Sequence, residues 1–224
     1  SSLAAPHVAG AVALMIEAAR DQGAYFVDGD VVDPRIIKSA LLTSADKDVL
    51  AYSGRGWITG GPTQPLDDEL GAGGLDAEEA VKVLLGEDEG ETIRHMAFDR
   101  ITWSEGSLSL ALGDLDAGDE LVASLVWNAH VVGITQDLSN LDLKLLRDGE
   151  MIAYSASTVD NVEHIWAPSL AQGGDYALVV EFVERNVYLD DEEWFALSYR
   201  AVPEPATLGL LVLGGVALLR RRRA

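Results

Sequence analysis

The feature that most constrains this chain is a change of hydrophobic period near residue 90. Up to about Gly86 the apolar residues recur at helical spacing, whereas from Ile93 to Arg200 they alternate with polar ones. A side chain returns to the same face every 3.6 residues in a helix and every two in a strand, so one chain with both patterns is expected to be mixed. Leu141, Leu143 and Leu145 alternate with Asp142 and Lys144. Leu121, Ala123, Leu125 and Trp127 share one face of a second strand, and Tyr176, Leu178, Val180 and Phe182 share one face of a third. Asp148-Gly149 stands between two such runs and is a strong hairpin signal. Several short strands with turns between them predict an antiparallel β-sandwich over 93–200.

The earlier part reads as helices. Ala4 to Ala19 is a long run of small and apolar residues, expected to be buried nearly all round. A second helix is predicted after Asp33, with Pro34 in its first turn and Ile36, Ile37, Ala40 and Leu41 as its apolar residues. A third is predicted to start at Asp76, with Glu78 and Glu79 where the helix dipole favours acids. Residues 54–74 are rich in Gly and Pro and read as loop, and 87–92 reads as an acidic linker.

Charge and composition remove several function classes. The 224 residues carry a formal net charge of -21, and four of the sixteen basic residues are Arg220, Arg221, Arg222 and Arg223. So acidic a body repels phosphate backbones and disfavours nucleic acid as a partner. There is no cysteine, which excludes disulfides, thiolate metal sites and a cysteine nucleophile. Asp137, Asp142, Asp160 and Glu163 raise calcium as a candidate ligand, but no loop has a calcium-binding spacing, and solvated acids are the plainer reading. Trp103, Trp127, Trp166 and Trp194 read mainly as core, with a carbohydrate or peptide platform as the alternative.

Residues 1–10 are SSLAAPHVAG. A serine at a helix start gains the positive end of the dipole and free backbone amides, which stabilise developing negative charge. It can equally be an ordinary N-cap. The full string resembles the nucleophile motif of the subtilisin family of serine proteases, Gly-Thr-Ser followed by x-Ala-x-Pro-His-Val-x-Gly. On that resemblance Ser2 is the nucleophile, and Ser1 stands where the family has threonine. Ile36 to Ala45 and Gly71 to Ala80 resemble later parts of the same catalytic domain, so the resemblance covers about residues 1–85. His7 lies five residues along a helix from Ser2, about 140° away around the axis, and cannot be its base; a packed, hydrogen-bonded histidine is expected there. Nor are His95, His130 and His164, in the strand region, expected to serve Ser2. In the family's triad the serine comes last, so base and orienting aspartate are expected before Ser1. The chain is expected to be a fragment, inactive alone because an isolated hydroxyl is a poor nucleophile. Its first 85 residues are expected to be loose in isolation.

Two further resemblances complete the reading. Asp160 to Ile165 with Gly173 and Tyr176, and the strand Leu141 to Asp148, resemble the small β-sandwich that follows bacterial secreted peptidases, the pre-peptidase C-terminal type. At the end, Val202-Pro203-Glu204-Pro205, then Ala206 to Leu219, then Arg220 to Arg223 resemble a PEP-CTERM sorting tail. The 14 apolar residues of 206–219 would span about 21 Å as a helix, short of a ~30 Å hydrocarbon core unless flanking residues help. The arginines are expected to stay cytoplasmic.

The fold class expected is therefore mixed: the C-terminal part of a subtilisin-like α/β domain (1–86), a sandwich (93–200) and a short C-terminal transmembrane helix (206–219). The function implied is an exported serine endopeptidase, sorted to the envelope, outer surface or extracellular matrix of a bacterium. Its partners are a protein or peptide substrate, the membrane and an exosortase-type sorting enzyme, and it needs no cofactor. The alternative is a non-catalytic exported surface or binding protein whose sandwich is the working module.

Overall fold

The computed structural model describes residues 4–23, 27–28, 31–132, 135–184 and 191–204. Its elements run α1 (Ala4–Asp21), β1 (Val27–Asp28), β2 (Val31–Val32), α2 (Pro34–Ser44), α3 (Ala77–Leu85), β3 (Ile93–Thr102), β4 (Ser107–Leu115), β5 (Glu120–Trp127), β6 (His130–Val132), β7 (Thr135–Asp137), β8 (Asn140–Arg147), β9 (Glu150–Ser155), β10 (Val162–Ala167), β11 (Gly174–Glu184) and β12 (Glu192–Val202).

The strand region is a sandwich of two four-stranded sheets, ordered β10-β5-β12-β3 and β4-β11-β8-β9, with every neighbouring pair antiparallel. The alternating residues meet between the sheets. Leu121, Leu125, Trp127, Phe195 and Leu197 of one sheet pack with Leu141, Leu143, Leu145, Tyr176 and Leu178 of the other. Asp148-Gly149 closes the β8–β9 hairpin with φ of 51° and 82°. Both turn residues need positive φ, which glycine and aspartate tolerate best.

The helical starts follow their sequence signals. Asp33 accepts from the Arg35 amide at 2.9 Å, with Pro34 in the first turn of α2. Asp76 accepts from the Glu79 amide at 2.9 Å and caps α3, and Gly86 ends it in the left-handed region at φ 64°. The acidic stretch 87–92 is a tight turn, with Glu89 and Thr92 exchanging backbone bonds. Arg94 at the start of β3 reaches back to Glu79 at 2.7 and 2.9 Å.

The helices form a third layer. α2 and α3 lie against the outer face of the β10-β5-β12-β3 sheet, and a second apolar cluster joins Met15, Ile36, Ala40, Ala80, Val83 and Leu84 to Met96 of β3 and Ala196 of β12. This sheet is thus buried on both faces, and every residue from Leu121 to Trp127 is inaccessible.

The expectation for α1 fails. It is not buried nearly all round: Ala4 to Gly10 are exposed, and further along only Ala11, Met15 and Ala19 are buried. The reason is local, since one stripe of α1 meets α3 and Leu14, off that stripe, is 56% exposed. His7, expected to be packed, is exposed with its half of the helix. Among the described residues no helix is long and apolar enough to cross a membrane. The predicted span 206–219 lies outside them.

Candidate functional site

On the outer face of the two-sided sheet, Ser198 of β12, Ser124 of β5 and His164 of β10 stand side by side, paired across the strands. α2 lowers Ser39 and Thr43 onto them. Ser39 Oγ donates to the Ser124 carbonyl at 2.9 Å and lies 2.7 Å from Ser198 Oγ. Thr43 Oγ1 donates to Ser124 Oγ at 2.8 Å and lies 2.7 Å from Ser198 Oγ, and Ser124 Oγ is 2.9 Å from His164 Nδ1. Burial, then the nearby Lys47 charge, holds the His164 pKa well below its ordinary value, so the ring is neutral. Ser124 and His164 form a serine–imidazole pair, but Ser124 has 0% exposure beneath α2. No substrate carbonyl reaches it, so the pair serves packing.

Beside this network, Lys47 is buried between the α2–α3 connection and the sheet. Its Nζ donates to the Ala72 carbonyl and sits 4.7 Å from the Trp57 ring. Burial first, then the Arg200 charge, pushes its pKa down to about 7. It borders a recess of about 320 Å³ with Asp46, Asp48, Asp76, Glu120 and Arg200, where charges of both signs face each other. The loop below is stapled by Asp67, which accepts from the Ile58, Glu69 and Leu70 amides and from both Arg55 terminal nitrogens. Those bonds hold its carboxyl well below the usual carboxylate range.

Glu163 lies on the inner side of the sheet, paired across the strands with Leu125. It accepts from Ser155 Oγ and, at 2.7 Å, from the Ser157 amide. Desolvation dominates these bonds and pushes its pKa up to about 8. The other carboxylates raised for calcium do not converge. Asp160 accepts from Ser157 Oγ, Asp142 Oδ1 is buried without a hydrogen-bond partner among the described residues, and the side chain of Asp137 lies outside them. Among the described residues no group of three or more potential ligands is placed to hold a metal ion.

The tryptophans do not share one role. Trp127 is fully buried and donates to the Ser139 carbonyl, but Trp103 and Trp194 are 46% and 40% exposed, so the reading of most of them as core is corrected. Trp103 packs edge-on to Phe182, Trp194 lies against Phe98, and Trp166 meets Trp57. Trp103 directly follows β3, and Trp194 stands near the start of β12, where Arg35 of α2 donates to its carbonyl. His95 is half-buried and stacks on Tyr199. The side chain of His130 lies outside the described residues, as does all of Ser2.

The sorting residues begin where the sandwich stops. β12 runs to Val202, and the Glu204 amide faces Asp119 Oδ1 at 3.4 Å. Pro203 is half-buried, while Pro205 and Arg220 to Arg223 lie outside the described residues.

Residues 201–223 match the PEP-CTERM protein-sorting motif. The chain therefore carries a signal for export and sorting to the bacterial cell envelope, of the kind that exosortase-type enzymes recognise. No curated protein matches the chain. Among solved structures, the periplasmic g-type lysozyme inhibitor PliG of Aeromonas hydrophila is similar at 12% identity over 51% of this chain and 91% of its own, with a TM-score of 0.34. The Drosophila NLP-core is similar at 9% over 50% and 99%, TM-score 0.29. A Clostridium perfringens ZmpB structure holding CBM51-2 and INT domains is similar at 17% over 42% and 20%, TM-score 0.28. At these scores the likenesses carry no argument.

Proposed function

We propose that this chain carries the nucleophile segment of an exported subtilisin-like serine endopeptidase, with Ser2 attacking a peptide carbonyl to form an acyl-enzyme that water releases. The general base and its orienting aspartate come from chain preceding Ser1, in the order the family resemblance implies. The observation that carries this reading is the string Ser2 to Gly10 read together with α1, which starts at Ala4, within two residues of that serine. An uncovered helix half also supports it. Ala4, Ala5, Val8 and Ala9 are small or apolar and exposed, a surface that a catalytic sheet contributed by preceding chain would cover. The pre-peptidase-type module in 93–200 then acts as an accessory domain, and Ala206 to Leu219 as the transient membrane span of the tail.

The test is fluorophosphonate labelling of the protein made by its native cell, followed by peptide mapping. Label on Ser2, abolished by Ser2→Ala, is the expected result. An unlabelled serine in an exported, folded protein rejects the protease and leaves the second reading, a surface protein whose sandwich is the working module. A specific observation favours that reading too: the sandwich closes its own core and runs directly into the sorting motif.

A further inference from the structure

The match to the sorting motif begins at Ala201, while β12 runs on to Val202, so the signal starts inside the fold. β12 is an inner strand, lying between β5 and β3. Ala201 pairs with Leu121 on one side and Ile93 on the other, and Val202 pairs with Glu120. The Ala201 side chain is 2% exposed and belongs to the core between the sheets. No linker separates the signal from the sandwich.

The residues that follow are held as well. The Glu204 amide faces Asp119 Oδ1 at 3.4 Å, and the Glu204 carboxyl lies so close over Gly118 that a Cβ there would collide with it. Gly118 has a φ of 102°, which glycine alone adopts without strain. The turn beneath is braced. Asp116 N–H donates to Asp119 Oδ2 at 2.9 Å, while Gly118 N–H donates to Leu170 O and Leu170 N–H to Asp119 O, both at 2.8 Å. Residues 201–204 therefore run along the sandwich onto a fixed ledge.

An enzyme that processes a peptide takes it as an extended chain with free backbone groups. A strand paired on both sides has none to give, because its N–H and C=O groups are already used by its neighbours. Folded segments react from locally opened states, at a rate set by the open population when closing is fast.

We propose that the exosortase-type enzyme reads this signal only after Ala201 to Glu204 have left the sandwich, so that pairing at the end of β12 holds processing back. The opening is local. It releases two strand residues and one amide contact, and leaves Leu125, Phe195 and Leu197 in the core. The affinity of the enzyme for the folded protein is then reduced by the fraction of molecules that are open. A sandwich that has not yet closed exposes the whole signal, so folding and sorting compete for the same four residues. The inference rests on the sorting motif and not on the protease reading.

The test follows loss of the Arg220–Ala224 end by mass spectrometry, in a pulse-chase of the full protein in its native cell. In a first variant, a flexible Gly/Ser linker of about nine residues and a second Ala-Val pair are inserted between Val202 and Pro203. Ala201 and Val202 stay in the sheet, and a complete signal hangs free of it. Processing about tenfold faster than in the native chain is expected, the factor for a modest opening equilibrium. A second variant, Glu120→Cys with Val202→Cys, joins a directly opposed pair at a spacing that suits a disulfide. The chain has no other cysteine. The oxidised form is expected to keep its arginines and to lose them after dithiothreitol is added. Equal or slower processing of the linker variant overturns the proposal, and so does an oxidised form processed at the native rate. Where the disulfide fails to form, the linker variant alone decides.

Discussion

The two faces of the β10-β5-β12-β3 sheet are both buried, yet they are built from different chemistry. Its inner face presents Leu121, Leu125, Trp127, Phe195 and Leu197 to the opposite sheet. On its outer face Ser124, Ser198 and His164 meet Ser39 and Thr43, ringed by Met96, Ala196 and the helices. The inner face gains stability from area and shape, which tolerate many apolar combinations. The outer face gains position, because a satisfied hydroxyl network has few alternative registers and penalises each loss of a partner. A helix laid over small polar residues can be placed in one way only, whereas a leucine face would accept several.

Breaking the inner face should have the largest effect. Leu125→Ala is expected to cost about 3 kcal/mol in urea unfolding, the usual scale for a buried leucine. Leu143→Ala, its fully buried counterpart in the other sheet, should cost a similar amount.

Glu163 sharpens the comparison, because it puts a carboxyl on the apolar side. Its pKa rises from 4.5 to about 8, so the folded protein holds that proton where the unfolded chain has released it. The associated stability is present below pH 4.5 and lost as pH rises through about 8. Glu163→Gln is expected to flatten stability against pH between about 5 and 8, recovering on the order of 2 kcal/mol at the upper end. A slope unchanged by the substitution would count against a neutral buried carboxyl.

On the outer face, Thr43→Val leaves Ser124 and Ser198 short of a partner and should cost about 1.5 kcal/mol. Ser198→Ala should cost a comparable amount. The double variant is expected to cost less than the sum, since both act on one network, and a double-mutant cycle measures the difference. The smallest effect belongs to the rim of the helix layer: Asp76→Ala removes the α3 cap and should cost about 1 kcal/mol.

What the sequence made legible divides along the same line. Alternation at Leu141 to Leu145 and Tyr176 to Phe182 gave the inner face, and Asp148-Gly149, Asp33-Pro34 and Asp76 gave a hairpin and two helix starts, because each depends on neighbours in sequence. The outer face was hidden. In Leu121–Trp127 the residues of both parities are apolar or small, a sign that both sides are covered, but nothing local names the cover. Ser39 and Thr43 read as ordinary helix polar residues until Ser124 and Ser198, more than eighty residues later, are set beneath them. α1 misled for a related reason: alanine and glycine fit a buried or an exposed face equally well. Of the candidate site, Pro203 and Glu204 were legible from order and composition, whereas the hydroxyl network around Ser124 and His164 needed a helix and three strands that only folding brings together.

Native-state hydrogen exchange tests the two-sided sheet most directly. If α2 is a true layer of this fold, the amides of residues 37–43 should be protected to the same opening free energy as those of β5 and β12. Exchange of α2 at the rate of a fraying helix, while β5 and β12 stay protected, would show that the outer face is not held by this contact.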